Sequence, residues 1–197
     1  MPDFTLTSEE RRRFDQAVRA VRMDPDAAWE CEWTLKPGAS LADSAVRTLP
    51  FRDLASLNAA IGFDDALFRG NTRDRGIRYP APLAAKAPFP KSMPRSVRFA
   101  TLAPSEHRQL RRSAEAYLFG DSAKASANED LLNALHFPMD VRVLAARSLT
   151  LDEEAVLTLE GPLHVLILGS LILHKGAQLV AHTDLVVHTQ LAYSEND

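Results

Sequence analysis

Four of the six histidines fall late in the chain, as His164, His174, His182 and His188. All stand at even positions, so on extended strands, where side chains alternate, all four project to one side. His182, Asp184 and His188 would then share a strand face, and neutral imidazole with carboxylate is a donor set that suits zinc. On an extended strand, however, His182 and His188 stand about 20 Å apart at roughly 3.3 Å per residue, too far to share one ion directly. His164, His182 and His188 are therefore weak metal candidates, with an ion shared between subunits as the open case. Surface histidines are the plainer account.

Other reactive groups are few. Cys31 is the only cysteine, and Glu30 and Glu32 beside it disfavour a thiolate, so it reads as a small core residue. Trp29 and Trp33 read as strand core before they read as a ligand cage. There is no Gly-x-Ser-x-Gly, no phosphate loop, no His-Glu-x-x-His and no paired-cysteine motif. No catalytic residue and no cofactor is assigned.

A chain of 197 residues, 46% apolar, can hold one large or two small domains with a real core. A net charge of −3 favours neither bulk nucleic-acid binding nor a disordered acidic tail. A single cysteine excludes an internal disulfide and fits a reducing compartment. The opening MPDFTLTSEERRRF has no basic stretch followed by an apolar one, so no secretory leader is expected. The cytoplasm is the expected compartment, with signal-independent export open. The most apolar run, Leu163 to Leu173, is roughly half the length a membrane-spanning helix needs.

Charge is segregated. Arg69, Arg73, Arg75, Arg78, Lys86, Lys91, Arg95 and Arg98 face a single acid, Asp74, in the middle of the chain. From Ser148 onward the acids outnumber the bases, with Lys175 alone against seven carboxylates. The two regions could attract each other within one chain or between neighbours.

Local patterns place the elements. Thr7 and Glu10 have capping-box spacing, and Phe14, Val18 and Val21 form one stripe, predicting a helix over Thr7 to Arg22. Trp29, Cys31, Trp33 and Leu35 alternate with Glu30, Glu32 and Thr34, predicting a half-buried strand. Leu54, Leu57 and Ile61 predict a second helix, and Leu110, Ala114, Tyr117 and Leu118 a third over Pro104 to Phe119. Ser126 and Glu129 predict a capped short helix through Leu135. Between them, Pro80, Pro82, Pro88, Pro90 and Pro94 predict an extended basic arm or linker, carrying Arg73, Arg75, Arg78, Lys86, Lys91 and Arg95 on or beside it. With Tyr79 and Phe89 interleaved the arm could touch phosphate, but its prolines and the overall charge argue against nucleic acid.

From Leu149 to Val187 most odd positions are aliphatic, and the pattern repeats with a step of 22. Ser148-Leu-Thr-Leu-Asp-Glu-Glu-Ala-Val-Leu matches Ser170-Leu-Ile-Leu-His-Lys-Gly-Ala-Gln-Leu. An even step keeps the inward face in phase, as stacked coils of a β-solenoid require. A β-sandwich of look-alike hairpins is the alternative. In the solenoid Val156, Leu166, Leu168, Ile172, Val180 and Val186 point outward, either beneath the helices or as a subunit interface.

The phrase Gly169-Ser-Leu-Ile-Leu-His-Lys-Gly-Ala-Gln-Leu179 resembles the Gly-x-Leu-x-Leu-x-x-Gly-Ala-x-Leu phrase of bactofilins, bacterial polymer-forming β-solenoids. The resemblance covers about fifty residues. It implies a cytoplasmic scaffold that assembles end to end without nucleotide or metal. Bactofilins have shorter and more numerous coils, and short tails in place of some 140 preceding residues, so the resemblance carries architecture further than role. Acyltransferases and carbonic anhydrases on left-handed solenoids repeat at about 18 residues per coil, and the step of 22 does not fit them.

The expected protein is α+β: a mixed helical region over 1–78, a proline-rich arm over 79–98, helices over 99–138 and a short solenoid over 139–193. Its expected role is non-enzymatic self-assembly, the partner being a second copy of the chain. Two other classes stay open: a module binding another protein or a glycan, including an exported effector component, and an enzyme with histidines between subunits.

Overall fold

The computed structural model describes residues 5–68, 76–83, 89–90 and 92–195. The chain forms two compact units, Met1–Pro50 with Asp140–Asp197, and Phe51–Met139. The first fifty residues thus fold with the C-terminal strands, so the expected N-terminal region of 1–78 divides near Pro50.

In the first unit, α1 (Ser8–Ala20) starts at Thr7, where the threonine and Glu10 side chains each hold the other's backbone N–H. Its stripe of Phe14, Val18 and Val21 is buried. Asp24 then caps α2 (Pro25–Trp29), with Pro25 in the first helical position. This helix claims Trp29, which the alternation had assigned to a strand, and β1 is only Glu32–Leu35. A 3-10 turn, Asp43–Ala45, leads to β2 (Arg47–Phe51).

The C-terminal part supplies β3 (Met139–Leu151), β4 (Val156–Leu159), β5 (His164–Leu173), β6 (Gln178–Ala181) and β7 (Leu185–Ser194). They form a five-stranded sheet of order β1-β3-β5-β7, with β2 also on β3, and a two-stranded sheet of β4 and β6. The pairs β1–β3, β3–β5, β5–β7 and β4–β6 are all parallel.

This arrangement overturns the solenoid. The step of 22 is real as a strand register, with Val143 beside Val165 and Leu157 beside Leu179. The strands nevertheless form an open parallel sheet with a small second sheet and do not close into coils. Strand β1, which belongs to no repeat, extends the large sheet. The hairpin sandwich fails too, since hairpins pair antiparallel and these pairs are parallel.

The alternation also breaks in the middle of each long strand. The ladder skips Arg147, Gly169 and Gln190, and the face turned to the core changes parity there. Leu144, Ala146, Leu166 and Leu168 lie in the core before the break, and Leu149 and Leu151 after it. Bulge-like steps of this kind shift every later side chain to the other face. Leu166 and Leu168, expected outside, are therefore 1% and 0% exposed. Gly169 sits at the break because a Cβ there would lie 2.5 Å from the Arg147 carbonyl oxygen and 3.2 Å from the Trp29 ring.

The second unit contains α3 (Leu54–Ile61), α4 (Arg95–Ala100), α5 (Pro104–Phe119), α6 (Ser122–Ala125) and α7 (Glu129–His136). Ser126 does not cap α7, because its hydroxyl donates to the Ala123 carbonyl. Buried Asn128, at the N-cap of α7, instead uses its side chain as a clamp: it accepts from Leu83 N–H and donates to Ser113 Oγ. The start of the proline segment is thereby fixed to this unit's own helices. Gln109 adds a bond to the Ala81 carbonyl, and the Tyr79 hydroxyl accepts from Asp121 N–H.

Candidate functional site

The core of the first unit is built in rows across the strands, and the rows end unevenly. Neighbours in a parallel ladder point the same way, so Leu144, Leu166 and Val187 form one row. The first two are 1% exposed, while Val187 is 39% exposed. The next rows behave alike. Leu149 is fully buried and Leu171 beside it is half-buried; Leu157 is buried and Leu179 beside it is half-buried. The apolar interior thus runs out to the β6–β7 side and is left half-covered there. Strand β7 ends the sheet path among the described residues. Its ten residues, Leu-Val-Val-His-Thr-Gln-Leu-Ala-Tyr-Ser, include no Lys, Arg, Asp, Glu or Pro.

The residues expected at an interface are dispersed. Val156 is exposed on β4, and Val180 is half-exposed on β6 beside Thr158. Ile172 is half-buried on β5. Val186 pairs with Val165, one residue out of the expected phase, because the step from β5 to β7 is 21 and not 22. Leu166 and Leu168 are core. Of the basic arm, Arg73, Arg75, Lys86 and Lys91 lie outside the described residues, Arg78 is exposed, and Arg95 is exposed at the start of α4.

The histidines do not converge. His164 pairs in register with Arg142 and Leu185, on the core face of the sheet. His188 pairs with Ile167, one residue out of phase with His164, and so points to the opposite face. His182 is exposed beyond β6, and His174 Nδ1 lies 3.2 Å from Glu195 Oε1. No group of three or more His, Cys, Asp or Glu among the described residues could hold a metal ion. Cys31 is half-buried with its Sγ 3.3 Å from the Ala27 carbonyl.

His164 is the outlier among them. It is 3% exposed, and its Nδ1 has no hydrogen-bond partner among the described residues. Burial first, and the Arg142 cation second, hold its pKa below the usual histidine value, while the nearby Pro162 carbonyl acts the other way. The ring is therefore neutral near pH 7. The even-position rule sent all four histidines outward and gave no sign that this one turns inward.

Comparison with protein families, with curated proteins and with solved structures finds no match for this chain. No helix among the described residues is long and apolar enough to cross a membrane.

Proposed function

We propose that this chain is a self-assembly module whose β6–β7 edge receives a strand from a second copy. One observation supports the reading above the others: a ten-residue edge strand without charge or proline ends a core that is half-covered on that side. Proteins that stay monomeric guard such edges with lysine, proline, bulges or a covering segment. Burying the half-exposed Leu171, Leu179 and Val187 would each recover part of the roughly 1.5–3 kcal/mol that full burial of an aliphatic side chain gives. A run of parallel ladder bonds would add direction and register. A second copy suits the edge because each long strand here already pairs in parallel with its equivalent one step away.

Light scattering over a concentration series tests the proposal. The wild type is expected above monomer mass, and Val187→Lys is expected to return it to monomer with its circular dichroism unchanged. A wild type that stays monomeric at its highest soluble concentration overturns self-assembly and turns the edge into a site for a different protein.

A further inference from the structure

The open end of the core on the Arg142–His164 side forms a cleft of about 490 Å³, within the roughly 300–1,000 Å³ usual for small-molecule sites. Its floor is the core face of β3 and β5, where Arg142 and Leu144 lie beside His164 and Leu166. Strand β4 makes one wall and the loop from Gly38 to Val46 the other. All these residues belong to the first unit.

Three kinds of group meet there. Leu144 and Leu166 give an aliphatic floor and Leu157 and Leu159 an aliphatic wall, each nearly fully buried. Arg142 is the cation. Among the described residues its acidic neighbour is Asp43 at 3.4 Å, whose side chain is fully exposed. That pair is long and solvated and is worth little, so a ligand carboxylate could displace it. Asp43 and Glu160 are the anions of the lining. His164 also lines the cleft and is 3% exposed, with its Nδ1 buried and without a hydrogen-bond partner among the described residues.

The charges decide the ligand class. One cation against two carboxylates disfavours a plain organic anion, and the single arginine disfavours a plain amine. A molecule carrying both charges close together on an aliphatic body matches all three features. We infer that this cleft binds a free α-amino acid with an aliphatic side chain. Its carboxylate pairs with Arg142, its ammonium with Glu160 or Asp43, and its side chain rests on Leu144 and Leu166.

The test follows the His164 ring resonances by NMR at constant pH while L-leucine is added, with isocaproate and isoamylamine as analogues lacking one charge each. His164→Gln assigns the resonances. Leucine is expected to shift them saturably, and each analogue to bind about tenfold more weakly or worse, the loss of one charge-assisted contact. Arg142→Gln is expected to weaken leucine about as much. Arg142→Lys, which keeps the charge, serves as the second variant and should recover part of the loss. Absence of any leucine-dependent shift overturns the site. Equal binding of isocaproate or of isoamylamine overturns the amino-acid class.

Discussion

Adding one methyl group at Gly169 should be among the costlier small changes in this protein. The new Cβ would stand 2.5 Å from the Arg147 carbonyl oxygen and 3.2 Å from Trp29 Cζ3. Neither neighbour yields easily. The Arg147 N–H donates to the Cys31 carbonyl at 2.9 Å, which pins that stretch of β3 from the other side. The Trp29 ring is held edge-on by Phe14 at 5.4 Å, with the Arg11 guanidinium 4.0 Å from its centre. Overpacking of this kind costs about 1–3 kcal/mol. Against it stands a gain of about 0.4–1 kcal/mol, because alanine restricts the unfolded chain more than glycine does. A net loss of about 1–2 kcal/mol remains. With a urea slope of about 2 kcal/mol per molar, the midpoint should fall by about 0.5–1 M. Trp29 and Trp33 are the only tryptophans and both belong to the first unit, so tryptophan fluorescence follows the unfolding of that unit. Most of the cost should survive in a Trp29→Leu background, since the nearer obstacle is backbone; a double-mutant cycle separates the two contributions. An unchanged or raised midpoint for Gly169→Ala would refute the close approach of β5 to β3 at the parity break.

Two further outcomes bear on the same strand. Leu168→Asp is expected to leave the first unit unfolded, because a fully buried leucine is lost and a carboxylate is placed in its apolar site, a combined cost of more than about 4 kcal/mol. A soluble variant with native circular dichroism would show that Leu168 faces outward after all. The second concerns pH. His164 has a folded pKa lowered by burial and by Arg142, so its contribution to stability is complete above the unfolded value near 6.5. That contribution is lost as the pH falls from there through the folded value, at up to about 1.4 kcal/mol per pH unit. Urea midpoints measured down that range should fall for the wild type and fall less for His164→Gln, and parallel profiles would refute the neutral buried ring.

Much of the local structure was legible because local chemistry decides it. Thr7 and Glu10 announce α1, and its apolar stripe is the one that is buried. The step of 22 announced the parallel register of β3 with β5 and of β4 with β6. Around Trp29 the capped proline start at Asp24 and Pro25 prevails over the strand alternation. What the chain does not write locally is the partner of a strand. That β1 pairs with β3, with Trp33 beside Leu149, rests on a contact more than a hundred residues long. Nothing near Trp33 or Leu149 specifies it.

The candidate sites were hidden for a narrower reason. Alternation is a reliable guide to facing only while a strand stays regular, and each long strand here is interrupted once. Gly169 stands at the switch in β5, where a Cβ would meet the Arg147 carbonyl oxygen of β3. Because Leu166 and Leu168 precede that switch, they join the core, and His164, two residues before Leu166, turns inward with them. The shorter step of 21 into β7 then separates His188 from His164 and brings Val187 into line with Leu166. One interruption and one missing residue thus remove the expected histidine face. They leave in its place a buried imidazole beside Arg142 at one end of the sheet and a half-covered aliphatic row at its edge.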